Sequence, residues 1–116
     1  MTLKRQVLLL EDNKSNQDLF RDMLRQFDWQ CTIAESAEEA LQALNEILKM
    51  NQRFQLIFVK LILPDMNGFD AATAIREIET KYGAVKHLLC GLSHDVSKSK
   101  GWLICRRFGG MQEIGH

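Results

Sequence analysis

Phe58-Val59-Lys60-Leu61-Ile62-Leu63-Pro64-Asp65-Met66-Asn67-Gly68 is the stretch that decides the fold: an apolar run, a lone charge where the run ends, and then a turn. The run from 54 to 59 is short and nearly continuous, which is the pattern of a strand buried on both faces. Two other segments have the same form. Residues 6 to 10 end abruptly in Glu11-Asp12-Asn13, and Leu88-Leu89-Cys90-Gly91-Leu92 ends at Ser93. Three strand ends carrying polar chemistry are therefore set to converge on one pocket.

Helical periods lie between these runs. Leu19, Phe20, Met23, Leu24 and Phe27 recur at helical spacing and predict an amphipathic helix over roughly residues 14 to 27. Cys31 and Ile33 alternate with polar neighbours as a short strand, and Ser36-Ala37-Glu38-Glu39 has the form of a capping box. The helix it opens carries Ala40, Leu41, Leu44, Ile47 and Leu48 on one face. Gly68 opens a third helix with Ala72, Ile75, Ile78 and Tyr82. Residues 85 to 92 form a fourth strand, and residues 93 to 108 are read as a helix. Gly109-Gly110 breaks the chain, and residues 111 to 116 begin a fifth strand. Strands alternating with helices predict right-handed crossovers and an α/β fold with a parallel sheet covered on both faces. Ligands of such sheets bind beyond the carboxyl ends of the strands, where Glu11, Asp12, Lys60 and Ser93 fall.

The bulk numbers narrow the class. The 116 residues, 46% of them hydrophobic, suit a single domain spanning the chain. Fifteen basic and fifteen acidic side chains cancel, so no global field draws in nucleic acid or an anionic membrane. No apolar run is long enough to span a bilayer. Cys31, Cys90 and Cys105 are odd in number and far apart, against a disulfide framework or a paired zinc site, and a reducing cytoplasm fits best. His87 and His94 have no partner at ligand spacing and read as surface or strand-end histidines. The basic residues between 98 and 107 lack aromatic interleaving and read as a solvated face, which argues against nucleic acid.

Residues 7 to 13 with Asn16, then 34 to 41, then 54 to 68 with Pro64 and Gly68, then Ile75-Arg76 and Leu92-Ser93, resemble the receiver domain of two-component response regulators, especially receivers attached to hybrid histidine kinases. The resemblance covers residues 6 to about 95. It implies a flavodoxin-like fold with strand order 2-1-3-4-5, a signalling role rather than an enzymatic one, and a histidine kinase or phosphotransfer domain as partner. It also implies an acidic pair, Glu11 and Asp12, that holds Mg²⁺, and a phosphoryl-contacting hydroxyl, Ser93. The phosphoacceptor position is Lys60. An ammonium has no lone pair for a hard cation and carries the wrong charge to attack phosphorus, so the expected reading is a pseudo-receiver that acts by protein–protein interaction. In that reading the Lys60 ammonium lies near Glu11 and Asp12 and replaces the cation. One alternative is a working receiver that uses another carboxylate, such as Asp65; the other is an incomplete fragment, because the last strand and helix of the pattern are incomplete. An apolar face left uncovered by that ending would favour self-association.

Overall fold

Each buried strand is a run of residues that have apolar neighbours on both sides, and the helices between them supply those neighbours. The structure, a computed structural model, describes residues 5–95, 102–107 and 113–114, with side chains through Leu92. Its elements in order are β1 (Arg5–Leu10), α1 (Lys14–Arg25), β2 (Trp29–Ala34), α2 (Ala37–Lys49), β3 (Leu56–Lys60), α3 (Gly68–Lys81), β4 (Leu88–Asp95), β5 (Trp102–Arg107) and β6 (Glu113–Ile114). One sheet of order β2-β1-β3-β4-β5-β6 contains all the strands, and β2, β1, β3 and β4 run parallel.

Successive residues of β1 divide between the two faces, as the twofold period of a strand requires. Leu8 and Leu10 pack with Ala40, Leu44 and Ile47 of α2 and with Ala71 and Ile75 of α3. Leu9 packs on the other face with Phe20 of α1, Phe58 and Leu92. Helices thus cover both faces, and Phe20 meets Phe58 at a ring separation of 5.4 Å.

Two sequence expectations are corrected here. Residues 102 to 107 form a strand, not part of a helix; β5 pairs antiparallel with β4, from Cys90 opposite Arg107 to Asp95 opposite Trp102. Trp102-Leu103-Ile104-Cys105 is a consecutive apolar run, a pattern that suits strand pairing better than a one-sided helix. The short β6 is antiparallel to β5, so the strand begun near the end of the chain does not extend the parallel set. The Gly109-Gly110 break lies outside the described residues. The second correction concerns α1, where Leu19 (57% exposed) and Met23 (45%) face outward, as does Phe27 (70%) in the turn after the helix, and the buried residues are Gln17 and Phe20. The helix is turned so that the Gln17 amide can reach the backbone of Glu11, at 2.7 Å.

Among the described residues no helix is long and apolar enough to cross a membrane. Cys90 is disulfide-bonded, whereas the spacing of the three cysteines did not suggest a disulfide; Cys31 is free.

Candidate functional site

Strand β1 is buried along Val7–Leu10 and delivers Glu11, itself only 1% exposed, at its carboxyl end. A carboxylate at that depth needs partners, and the turn into α1 supplies them. The Asn16 side-chain amide donates to Glu11 Oε1 at 2.8 Å and the Asn13 backbone N–H donates to Oε2 at 3.2 Å. Asn13 also caps α1 by accepting from the Asn16 N–H. Asp12, next in the chain, points to the more solvated side.

Strand β3 ends beside this pair. Lys60 Nζ lies 2.8 Å from Glu11 Oε2 and 2.6 Å from Asp12 Oδ1. Its side chain is 21% exposed, against 1% for Glu11 and 40% for Asp12, so the cation bridges a buried carboxylate and a wet one. Burial alone would lower the Lys60 pKa; the hydrogen bonds to Asp12 and Glu11 outweigh it and hold the ammonium above its ordinary range. Asp12 is pushed the other way, chiefly by its hydrogen bond from Lys60. Each partner therefore fixes the charged form of the other.

The chain leaving Lys60 is tightly held. Leu61 N–H donates to the Leu92 carbonyl at 2.9 Å, and Gly68 N–H closes back on the Leu61 carbonyl at 2.8 Å. A Cβ at Gly68 would stand 2.6 Å from the Lys60 carbonyl oxygen, so only glycine permits this approach. Asp65 lies in the same loop but faces away from Lys60. Its two carboxylate oxygens accept the backbone N–H groups of Ala37 (3.0 Å) and Glu38 (3.1 Å) at the start of α2. Those bonds, that to Ala37 foremost, lower its pKa. The capping box contributes as well: Ser36 Oγ accepts from the Glu39 N–H, while the Glu39 carboxylate reaches back to the Glu35 N–H.

The structure brings Glu11, Asp12 and Lys60 together and keeps Asp65 out of the cluster. Ser93 is in the body of β4, its backbone opposite Ile104, because β4 continues to Asp95; its side chain lies outside the described residues. Asn16 and Gln17 are the residues that sequence reasoning left without a role. Their signal is two amides on the first turn of a helix five and six positions after a buried acid.

A second polar cluster lies at the opposite end of the sheet, where His87 stands just before β4 as a strand-end residue but is buried rather than on the surface. His87 is 1% exposed, and its Nδ1 lies 2.7 Å from Glu79 Oε2, which also accepts the His87 backbone N–H. Arg76 Nη1 donates to Glu79 Oε1 at 2.9 Å and to the His87 carbonyl at 2.9 Å. His87 Nε2 is buried with no hydrogen-bond partner among the described residues. Burial keeps the imidazole below its ordinary pKa in spite of Glu79. For Glu79 burial pulls upward, and the bonds from His87 and Arg76 win, lowering its pKa. The pair is thus a carboxylate accepting from a neutral imidazole.

Among the described residues no group of three His, Cys, Asp or Glu side chains is arranged to hold a metal ion. The Lys60 ammonium occupies the space between Glu11 and Asp12, so a divalent cation held by these two carboxylates would have to displace it.

Comparison with known proteins points in one direction. The profile of the response regulator receiver domain matches residues 7–97. Hybrid signal transduction histidine kinase I of Dictyostelium discoideum is 29% identical over 98 residues, which is 84% of this chain and 6% of that protein. Histidine kinase 5 of Arabidopsis thaliana is 28% identical over 106 residues, 91% of this chain and 11% of the other. The chain therefore spans only a small part of the length of the relatives it matches. Among solved structures, the receiver domain of the histidine kinase CKI1 from Arabidopsis thaliana, complexed with Mg²⁺ and BeF₃⁻, superposes with a TM-score of 0.72 at 26% identity, over 83% of this chain and 70% of that one. The receiver domain of Ssk1 from Saccharomyces cerevisiae, co-crystallised with the histidine phosphotransfer protein Ypd1, gives 0.66 at 26% identity over 84% and 68%.

Proposed function

Since the chain belongs to the response regulator receiver domain family, we propose that it is a receiver-type signalling module of a two-component phosphorelay that is not phosphorylated at the usual position and acts by protein–protein interaction. The observation that carries this reading is the Lys60 ammonium seated between Glu11 and Asp12 at 2.8 and 2.6 Å. Phosphoryl transfer to a receiver needs an oxygen nucleophile with a divalent cation beside it to neutralise developing charge. Here the side chain at the acceptor position is a cation whose lone pair is held by a proton, and both carboxylates already neutralise it. Ser93, the phosphoryl-contacting hydroxyl in the family pattern, has no phosphoryl group to contact.

The alternative acceptor, Asp65, is engaged through both oxygens on α2, which disfavours it. Glu11 and Asp12 are the residues that would take Mg²⁺, in competition with Lys60. The partner is a histidine kinase or a histidine phosphotransfer domain, as the Ssk1 receiver meets the phosphotransfer protein Ypd1 in their complex, and the proposed site of action is the cytoplasm.

Intact mass after incubation of folded protein with acetyl phosphate and Mg²⁺ tests the reading. The wild-type chain is expected to gain no phosphoryl adduct, whereas Lys60→Asp, which supplies the missing carboxylate, is expected to gain one. A donor-dependent adduct on the wild type would overturn the proposal, and peptide mapping would then ask whether Asp65, Asp12 or Glu11 carries it.

A further inference from the structure

Strand β2, Trp29–Ala34, reads Trp-Gln-Cys-Thr-Ile-Ala and forms one edge of the sheet. It pairs with β1 through six consecutive residues without a bulge, and no strand meets its other edge among the described residues. Exposed edges are usually blunted by lysine, proline, a bulge or short length. This one has six residues, no charge and no proline. At the far side of the sheet, by contrast, β6 is two residues long.

The charges around β2 are polarised along it. Arg21, Arg25 and Asp28 line a cleft with Trp29, Gln30 and Cys31 at its start, and the Arg5 guanidinium sits over the Trp29 ring at 5.4 Å. Arg21 is paired with Asp18, and Arg25 is in no ion pair among the described residues. At its end β2 runs into Glu35, followed by Glu38 and Glu39, all exposed. A strand that starts basic and finishes acidic complements itself only when a second copy runs antiparallel to it.

We infer that the β2 edge is a docking surface for a second copy of this chain, joined β2 to β2 antiparallel so that the two sheets become one. A twofold axis normal to the sheet must pass through a residue that faces its own copy, since neighbouring pairs in an antiparallel ladder are not equivalent. With Cys31 on the axis, Trp29 of one copy faces Ile33 of the other, an aromatic against a β-branched side chain. Cys31 and Ile33 share the α1 face of the sheet with Leu9 and Phe20. Glu35 is on the same face, hydrogen-bonded by Gln17 of α1 at 3.4 Å, and in this register it lies past the Trp29 of the other copy, on the side of the turn that follows Arg25. Gln30 faces Thr32 across the axis. The interface thus combines main-chain pairing, one apolar pair on each side of the centre, and an acid on the side of the unpaired arginine.

Sedimentation velocity of the full chain across a concentration series tests the inference. A reversible dimer that weakens with added salt is expected. The double variant Gln30→Lys, Thr32→Lys places like charges across the axis and is expected to weaken association at least about tenfold with an unchanged circular dichroism spectrum. Oxidation with copper phenanthroline is expected to link wild-type copies through Cys31, and Cys31→Ser to abolish the link while leaving the sedimenting dimer. A monomer at every concentration reached, or a dimer that the charged variant leaves intact, would overturn the proposal. If the double variant does not fold, failure of the wild type to cross-link through Cys31 decides against it.

Discussion

Taking away the Lys60 ammonium leaves the Glu11 carboxylate buried against Asp12 with no cation to balance it. Glu11 keeps the amide of Asn16 and the N–H of Asn13, and Lys60 is partly wet, which holds the loss below that of a fully buried broken pair. Lys60→Met is therefore expected to cost about 1–3 kcal/mol in urea unfolding. The same variant frees the space between the acids, so Mg²⁺ should raise its unfolding midpoint while leaving that of the wild type nearly unchanged. Equal responses of the two proteins to Mg²⁺ would show that Lys60 does not stand in for the cation. Asp65 makes a separate case. Its carboxylate caps α2 from the loop after β3, and Asp65→Ala should cost about 1 kcal/mol, the usual worth of a helix cap, without altering any response to phosphodonor. A variant that abolished a wild-type adduct would instead mark Asp65 as an acceptor.

At the scale of elements, the joint between α3 and β4 is sensitive to acid. Neutral His87 donates to ionised Glu79 while its other ring nitrogen has no acceptor, so a second proton on the ring has nowhere to go. The folded pKa of His87 lies below its ordinary value of 6.5, which makes its contribution to stability fully present above that value and progressively lost as pH falls toward the folded pKa. Glu79 is likewise lowered from 4.5, and its contribution disappears at still lower pH. Thermal melts from about pH 7.5 to 5 should show a falling midpoint in the wild type and a much flatter one in His87→Gln; parallel slopes would assign the acid sensitivity elsewhere. This joint was illegible in the sequence because a bond between a helical acid and a histidine eight residues on follows neither a helical nor a strand period. The rotation of α1 was hidden for a related reason. Five apolar residues at helical spacing indicate a helix, but burial of Gln17 for one backbone hydrogen bond decides which of them meet the sheet.

For the molecule as a whole, a parallel sheet covered on both faces could be read from strands alternating with helices and from apolar runs ending in polar residues, whereas the order β2-β1-β3-β4 came only from the resemblance to receiver domains. The grouping of Glu11, Asp12 and Lys60 was legible too, because the carboxyl ends of neighbouring parallel strands meet. Strand β5 was not, since residues 93 to 108 were read as a helix, and even as a strand a run such as Trp102-Leu103-Ile104-Cys105 pairs equally well either way and only the chain path chooses. Lys60 also changes how the molecule meets its surroundings. An ion borrowed from solution comes and goes with its supply, but this positive charge is tethered to the acids it neutralises, at an effective concentration no dilution lowers. No chelator can strip it, and no shortage of metal or of phosphate donor can empty the pocket. On the proposed reading, every copy then holds one state whatever the supply of metal or phosphodonor, and a partner would respond to the number of copies alone.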